Sequence, residues 1–191
     1  MGGRNVDVAK YKKSCGSVSR AFHWLLGILI IGMLGYGYWM NHFAARPDRL
    51  FHRPIHADIG YVVLLMLVLR IVWRIFNPSP PLPAGTPRWE RVAAWVNHLA
   101  LYLVTFVVAM LGWAHSGAHT PDYGNWFGLF RVPQFTSPDK AAARAYEDNH
   151  ILGAYILMGL VALHILAALY HHFYKCDRVL MKMVDGKSAS G

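Results

Sequence analysis

The chain has 191 residues, 55% of them hydrophobic and only 15% charged, a balance too apolar for an ordinary soluble domain of this size. Its formal net charge of +9 would suit a nucleic-acid binder, but the basic residues flank apolar runs on one side of the predicted topology, which suits anionic lipid instead. The two cysteines, Cys15 and Cys176, form no CxxC, so neither a structural disulfide nor a redox pair is expected.

Four apolar runs, Phe22 to Met40, Ile59 to Phe76, Val92 to Ala114 and Ile151 to Tyr170, are each about long enough to cross a hydrocarbon core of roughly 30 Å as a helix. They lack the polar stripe of a soluble bundle. The predicted fold is therefore all-α and integral to the membrane: a single domain over residues 1–191, with helices over about 20–41, 56–76, 90–115 and 148–174. The N-terminus reads as uncleaved, because Phe22 to Met40 is longer than a signal-peptide core, and MGGRNV carries Val6 where myristoylation needs Ser or Thr.

His23 opens the first helix, with Gly27 one turn later. The first connection holds His42, Arg46, Arg49, His52 and Arg53, and His56 with Gly60 opens the second helix. Arg70 and Arg74, at i and i+4 near the end of that helix, are expected to snorkel to the interface. Asn77 to Pro87 is too Pro-rich for helix and reads as a stiff connector. His98 lies near the start of the third helix. The longest connection, about 115–148, carries Trp126, Phe127, Phe130 and Phe135 and predicts a structured cap on the outer surface; His115 and His119 belong to it and, like His42 and His52, need no more than water. The fourth helix carries His150, Gly153, His164, His171 and His172. Trp24, Trp39, Trp89, Trp95, Trp113, Tyr36 and Tyr38 lie near run ends, where aromatic belts form.

Orientation follows from Lys and Arg. The N-terminal segment, second connection and C-terminal tail together hold 13, the other two connections 6. Both termini are predicted to be cytoplasmic.

An imidazole in hydrocarbon must be hydrogen-bonded, paired or bound to metal. His150 and His164 are fourteen residues apart, about 21 Å along one helix and within about 40° of one face. The topology offers His56 as a partner for His150 near the outer surface. For His164, near the inner surface, it offers His23 or, as a rival, His98. Structural zinc needs four converging ligands, whereas haem iron needs only two axial ones, so two stacked pairs predict two b-type haems. No CxxCH is present, so attachment is expected to be non-covalent. Gly27, Gly60 and Gly153 suit a flat ring or, equally, close helix packing. His171, about 10 Å further in than His164, is placed to hydrogen-bond a quinone carbonyl or, with His172, to meet lipid head groups.

SRAFHWLL, RPIHADIG, LVLRIVWRIFNPSPP, NHLALYL, GNWFGLF and HILGAYILMGLVALHILAALYHHFYK together resemble the bacterial cytochrome b561 family, specifically its small four-helix dihaem members of the superoxide:ubiquinone oxidoreductase type. The resemblance covers nearly the whole chain. It implies axial ligation by His23 and His164 at an inner haem and by His56 and His150 at an outer one, a bacterial inner-membrane location, and a quinone site bordered by His171. Superoxide would give its electron on the outside, ubiquinone take it near the cytoplasm, and Arg46, Arg49 and Arg53 could steer the anion, against the acidic Asp122, Asp139, Glu147 and Asp148 of the other outer loop. The same superfamily is similar to quinone-linked cytochrome b subunits that take electrons from a periplasmic redox partner. A haem-free His-lined transporter or scaffold would instead expect carboxylates inside the spans, and the four apolar runs contain none. No GxGxxG or P-loop points to a nucleotide.

Overall fold

The computed structural model describes residues 16–78, 85–119, 124–177 and 179–185. Cys15, Asp122, most of the Pro-rich connector and both chain ends, with the readings attached to them, lie outside these residues. Four helices dominate: α1 (Ser17–His42), α2 (Arg46–Phe76), α3 (Arg88–His119) and α4 (Lys140–Phe173), followed by a short α5 (Val179–Val184). All four long helices have the length and composition to cross a membrane. At 26, 31, 32 and 34 residues they exceed the roughly 20 that a bilayer core requires, so they tilt or project beyond it.

The helices outrun the apolar runs for local reasons. In α2 a proline fits at the first turn, where its missing N–H costs nothing, and Asp48 meets the positive end of the helix dipole. Arg46, Arg49, His52 and Arg53 are therefore helical rather than part of a loop. In α4 the Asp139 side chain caps the start by accepting from Ala141 N and Ala142 N at 2.8 and 3.1 Å. This extension brings carboxylates into the helices that the apolar runs exclude: Asp58 on α2 and Glu90 on α3 are only 5% and 9% exposed.

Leu25, Ile28, Leu69, Val72, Val107, Leu152, Ile156 and Leu166 all face outward, as lipid-facing positions do and soluble surfaces rarely allow. The buried core is small, with Leu26, Val63 and Leu67 surrounded by Leu29, Ile30, Met33, Met66, Ile71 and Tyr102. α3 packs along α4, α1 along α2 and α2 along α3. The helices that carry His23 and His164, α1 and α4, make little direct contact, which leaves volume between them.

Between α3 and α4 the chain forms a cap built on a two-stranded antiparallel hairpin, β1 (Asn125–Trp126) and β2 (Phe130–Arg131). Its turn passes through Phe127 and Gly128 at φ 44° and 75°, a left-handed backbone that Gly128 tolerates freely. Asp58 pins this turn to α2. Its Oδ2 accepts from Phe127 N at 3.0 Å, and its backbone carbonyl accepts from Trp126 Nε1 at 3.2 Å. Trp113 Nε1 donates to Pro133 O and Thr136 Oγ1 to Ala114 O, so the cap is fixed to α3 as well. The molecule thus has a cap end and an opposite end, where α1 begins and α4 finishes.

Candidate haem-binding sites

Near the cap end, His56 on α2 and His150 on α4 face each other with ring centroids 6.0 Å apart. His150 Nδ1 lies 2.8 Å from Val108 O. A carbonyl can only accept, so that nitrogen carries the proton and Nε2 keeps its lone pair, the arrangement that metal-ligating histidines adopt. His56 Nδ1 is buried and, among the described residues, has no hydrogen-bond partner. A side chain at Gly37 would put its Cβ 3.2 Å from His56 Cε1, and one at Gly112 the same distance from His150 Cε1. These two glycines, not those beside the histidines in sequence, are the ones the rings rest against.

Gly27 and Gly60 do adjoin open space, Gly60 meeting only Met33 Cε at 4.0 Å. Gly153 is different, because a Cβ there would lie 2.7 Å from Val108 Cγ2, so its role is close helix packing. Gly153→Ala is expected to destabilise the bundle by about 1–3 kcal/mol and to disturb His150 through the Val108 carbonyl. A detergent melt followed by absorbance and by near-UV circular dichroism measures both.

A cleft with a cavity volume of about 200 Å³ runs from Ile30 and Thr105 at mid-bundle past both rings to Arg49, Arg53, His115 and Glu147 at the rim. The rim arginines are partly engaged. Arg53 Nη2 pairs with Glu147 Oε1 at 2.6 Å, and Arg49 Nε donates to Ala44 O at 3.0 Å. Arg46 is exposed. Three of the histidines assigned to water have protein partners: His52 Nδ1 meets Tyr36 Oη at 2.7 Å, His115 Nδ1 meets Ala143 O at 3.0 Å, and His42 Nδ1 meets Tyr38 O at 2.9 Å. His119 lies beside His115, with ring centroids 5.3 Å apart.

At the opposite end three rings meet. His23 on α1 and His164 on α4 have centroids 6.1 Å apart, while His98 on α3 lies 5.3 Å from His164. Two imidazoles on opposite sides of one iron, each bonded at about 2 Å, place their centroids roughly 6 Å apart. Both pairs named from sequence match that spacing, and the His98 contact is shorter. His98 nevertheless holds the ligand-competent tautomer, with Nδ1 2.6 Å from Ala94 O.

Arg70 overturns its expected role. Instead of snorkelling, its guanidinium turns into the bundle, with Nε donating to Tyr102 Oη at 3.0 Å, Nη1 to Phe22 O at 3.4 Å and Nη2 to His23 Nδ1 at 3.0 Å. A guanidinium only donates, so His23 Nδ1 accepts and a neutral ring carries its proton on Nε2. Iron binding at Nε2 then requires Arg70 to let go of the ring or the ring to lose that proton. The signal was legible, because an ionisable residue inside an apolar run is a functional candidate by default.

Beyond this site Trp24 Nε1 donates to Met183 O at 2.8 Å and holds α5 against α1. His171 sits among Glu90, Lys175 and Asp177 rather than against open lipid, and Cys176 is exposed with a free thiol.

Residues 14–186 match the family profile described as prokaryotic cytochrome b561. The chain is 36% identical over 178 residues to cytochrome b561 homolog 2 of Escherichia coli (strain K12), covering 92% of this chain and 93% of that protein. It is 28% identical over 179 residues to a probable superoxide oxidase CybB of Yersinia pestis, covering 92% and 97%, and 27% identical over 169 residues to cytochrome b562 of Cereibacter sphaeroides, covering 85% and 89%. With four membrane-length helices, paired intramembrane histidines and a profile match along nearly all its length, the chain belongs to the prokaryotic cytochrome b561 family of membrane electron-transfer proteins, whose prosthetic group is b-type haem.

Proposed function

We propose that this protein carries electrons from superoxide at the cap end to ubiquinone at the opposite end, through two non-covalent haems b. Its cap end faces the periplasm of a bacterial inner membrane and both termini face the cytoplasm. The observation that carries the reading is the pair of matched histidine spacings, 6.0 Å for His56 with His150 and 6.1 Å for His23 with His164, one at each end of a bundle long enough to span the bilayer. Held by these residues, haem supplies a one-electron carrier on each side of the membrane. The overall reaction oxidises two superoxide ions to oxygen and reduces one ubiquinone, with two protons, to ubiquinol. The superoxide half is supported by the name of the Yersinia pestis relative, and the orientation by the excess of Lys and Arg on the terminal segments.

The chain's own contribution at the cap end is electrostatic. An anion is gathered faster where positive charge lines the entry; Arg49 and Arg53 line it, with Arg46 exposed one turn before Arg49 on the same helix, but Glu147 neutralises Arg53. Arg53→Gln is expected to slow superoxide-dependent haem reduction several-fold at low ionic strength, and Glu147→Gln to speed it; about 0.5 M salt should erase both effects. Equal rates in all three proteins would remove this pair from substrate capture.

A second reading keeps the haems and replaces superoxide by a periplasmic redox protein. It is favoured by the cap surface, where Phe127, Leu129, Phe130 and Phe135 are all exposed. The deciding experiment supplies purified protein in detergent with an enzymatic superoxide source and a short-chain ubiquinone. Quinol formation that stops on addition of superoxide dismutase supports the first reading. Haems that stay oxidised under superoxide flux, yet are reducible by dithionite, would favour the second.

A further inference from the structure

The cap hairpin meets the helices at a depth fixed by the charges at their far ends. Asp58, which holds the turn, lies sixteen residues before Arg74 on α2, and Trp113, which holds Pro133, lies twenty-two residues after Arg91 on α3. At 1.5 Å per residue these intervals are about 24 and 33 Å, against a hydrocarbon core of roughly 30 Å. With Arg74 and Arg91 at one face of the bilayer, the hairpin straddles the other face, its turn deeper than its base. The strand register agrees. The polar pair Asn125 and Arg131 stands at the open end, and Trp126 pairs with Phe130 next to the turn. Phe127, Leu129 and Phe130 are 51%, 73% and 56% exposed.

Beneath the tip, the faces of α2 and α3 continue as open apolar surface. Leu65, seven residues on from Asp58, and Phe106, seven before Trp113, share faces with those two residues, and both are exposed, so the tip ends a lipid-facing groove. The backbone of the turn is also closed to solvent loss. Phe127 N donates to Asp58 Oδ2 at 3.0 Å, Gly128 N to Asn125 O at 3.2 Å and Leu129 N to Trp126 O at 2.8 Å, and the Trp126 indole donates to Asp58 O. A turn in water can leave such donors to solvent, whereas one in contact with hydrocarbon cannot. We propose that the hairpin tip is a lipid anchor, with Phe127, Leu129 and Phe130 inserted at the boundary of head groups and acyl chains in the leaflet at the cap end. Asp58 pins the tip at that depth, and the anchor in turn fixes the height in the membrane of His56, two residues earlier on α2. The anchor depends on the membrane-spanning bundle and not on the identity of the electron donor or acceptor, and it takes these side chains away from a redox partner.

The test uses haem-loaded protein carrying Cys15→Ser and Cys176→Ser, in nanodiscs that hold one copy each, and follows single added cysteines by their reaction with a charged, membrane-impermeant maleimide. A thiol reacts as its thiolate, which an apolar environment disfavours, so Leu129→Cys and Phe130→Cys are expected to react about tenfold or more slower than Ser137→Cys. Ser137 is an exposed position of the cap beyond Pro133. Leu65→Cys, in the span, should be as slow as the two hairpin positions. In denaturing detergent all four should react alike, and unchanged haem absorbance before denaturation confirms that each variant is folded. Leu129 is largely free of protein contact and a second copy is absent from each disc, so protection there points to lipid. A lipid with a photoactivatable acyl chain should then crosslink within residues 127–130. Labelling of Leu129→Cys at the rate of Ser137→Cys would overturn the anchor and return the hairpin to a water-borne protein partner. Protection without any lipid crosslink would also overturn it, and would assign the tip to a contact within the protein.

Discussion

His164→Ala is expected to lower haem b content, measured as the pyridine haemochrome, from two per chain towards one, and His150→Ala to do the same from the cap end. A b-type haem is held by two axial bonds and apolar contact, with no covalent link to retain it. Removing one ligand leaves the partner histidine facing a cavity, and the two helices that carry each pair make too little direct contact with each other to close it. The informative comparison is at the opposite end, where His23 and His98 both approach His164. Opposed ligation across one iron fits the 6.1 Å spacing of His23 better than the 5.3 Å of His98, so His23→Ala should lose the haem that His98→Ala keeps. The reverse result would transfer the ligand to α3 and would be explained by Arg70, which occupies His23 Nδ1. Full haem content in His164→Ala would sink the pairing altogether.

Arg70→Leu is expected to lower the midpoint potential of the haem at the His23 end while leaving the other unchanged. With His23 as the proposed ligand, a permanent cation beside it would stabilise the state richer by one electron, so removing it should make reduction harder. A unit charge one imidazole away contributes about 2 kcal/mol at an effective dielectric constant of 20, on the order of 100 mV for a one-electron couple. Arg70→Lys keeps the charge but cannot bridge Tyr102, Phe22 and His23 at once, so it should recover most of the potential and little of the thermal stability. A spectroelectrochemical titration separates the two effects. Unchanged potentials in both variants would reduce Arg70 to a tether joining α1, α2 and α3.

Arg70 also shows where reading the sequence reaches its limit. Near the end of an apolar run, a long cation has two low-energy solutions, outward to the head groups or inward to partners, and composition does not separate them. The inward solution wins because Tyr102, Phe22 and His23, from two other helices, converge on one planar donor. The rim of the cap end is similar: Arg53 and Glu147 are ninety-four positions apart, and nothing local to either predicts that they cancel. The glycines that meet the histidine rings were out of reach for the same reason. Gly60 and Gly153 neighbour His56 and His150 along their own helices, but Gly37 and Gly112 meet the two rings from across a helix interface.

The four spans, the all-α class and the histidine candidates are legible in the chain itself, because hydrophobic length is local and few side chains tolerate hydrocarbon without a partner. The fourteen-residue interval between His150 and His164 is also local, since one helix converts it directly into two depths on one face. Which rings face those two, how far each helix continues beyond its apolar run, and which carboxylates become buried depend on helix rotation and register. These are set by packing between segments far apart in sequence. Only the tertiary structure therefore decided that His98 stands as a third ring, that Arg70 turns inward, and that His171 lies between Asp177 and Glu90.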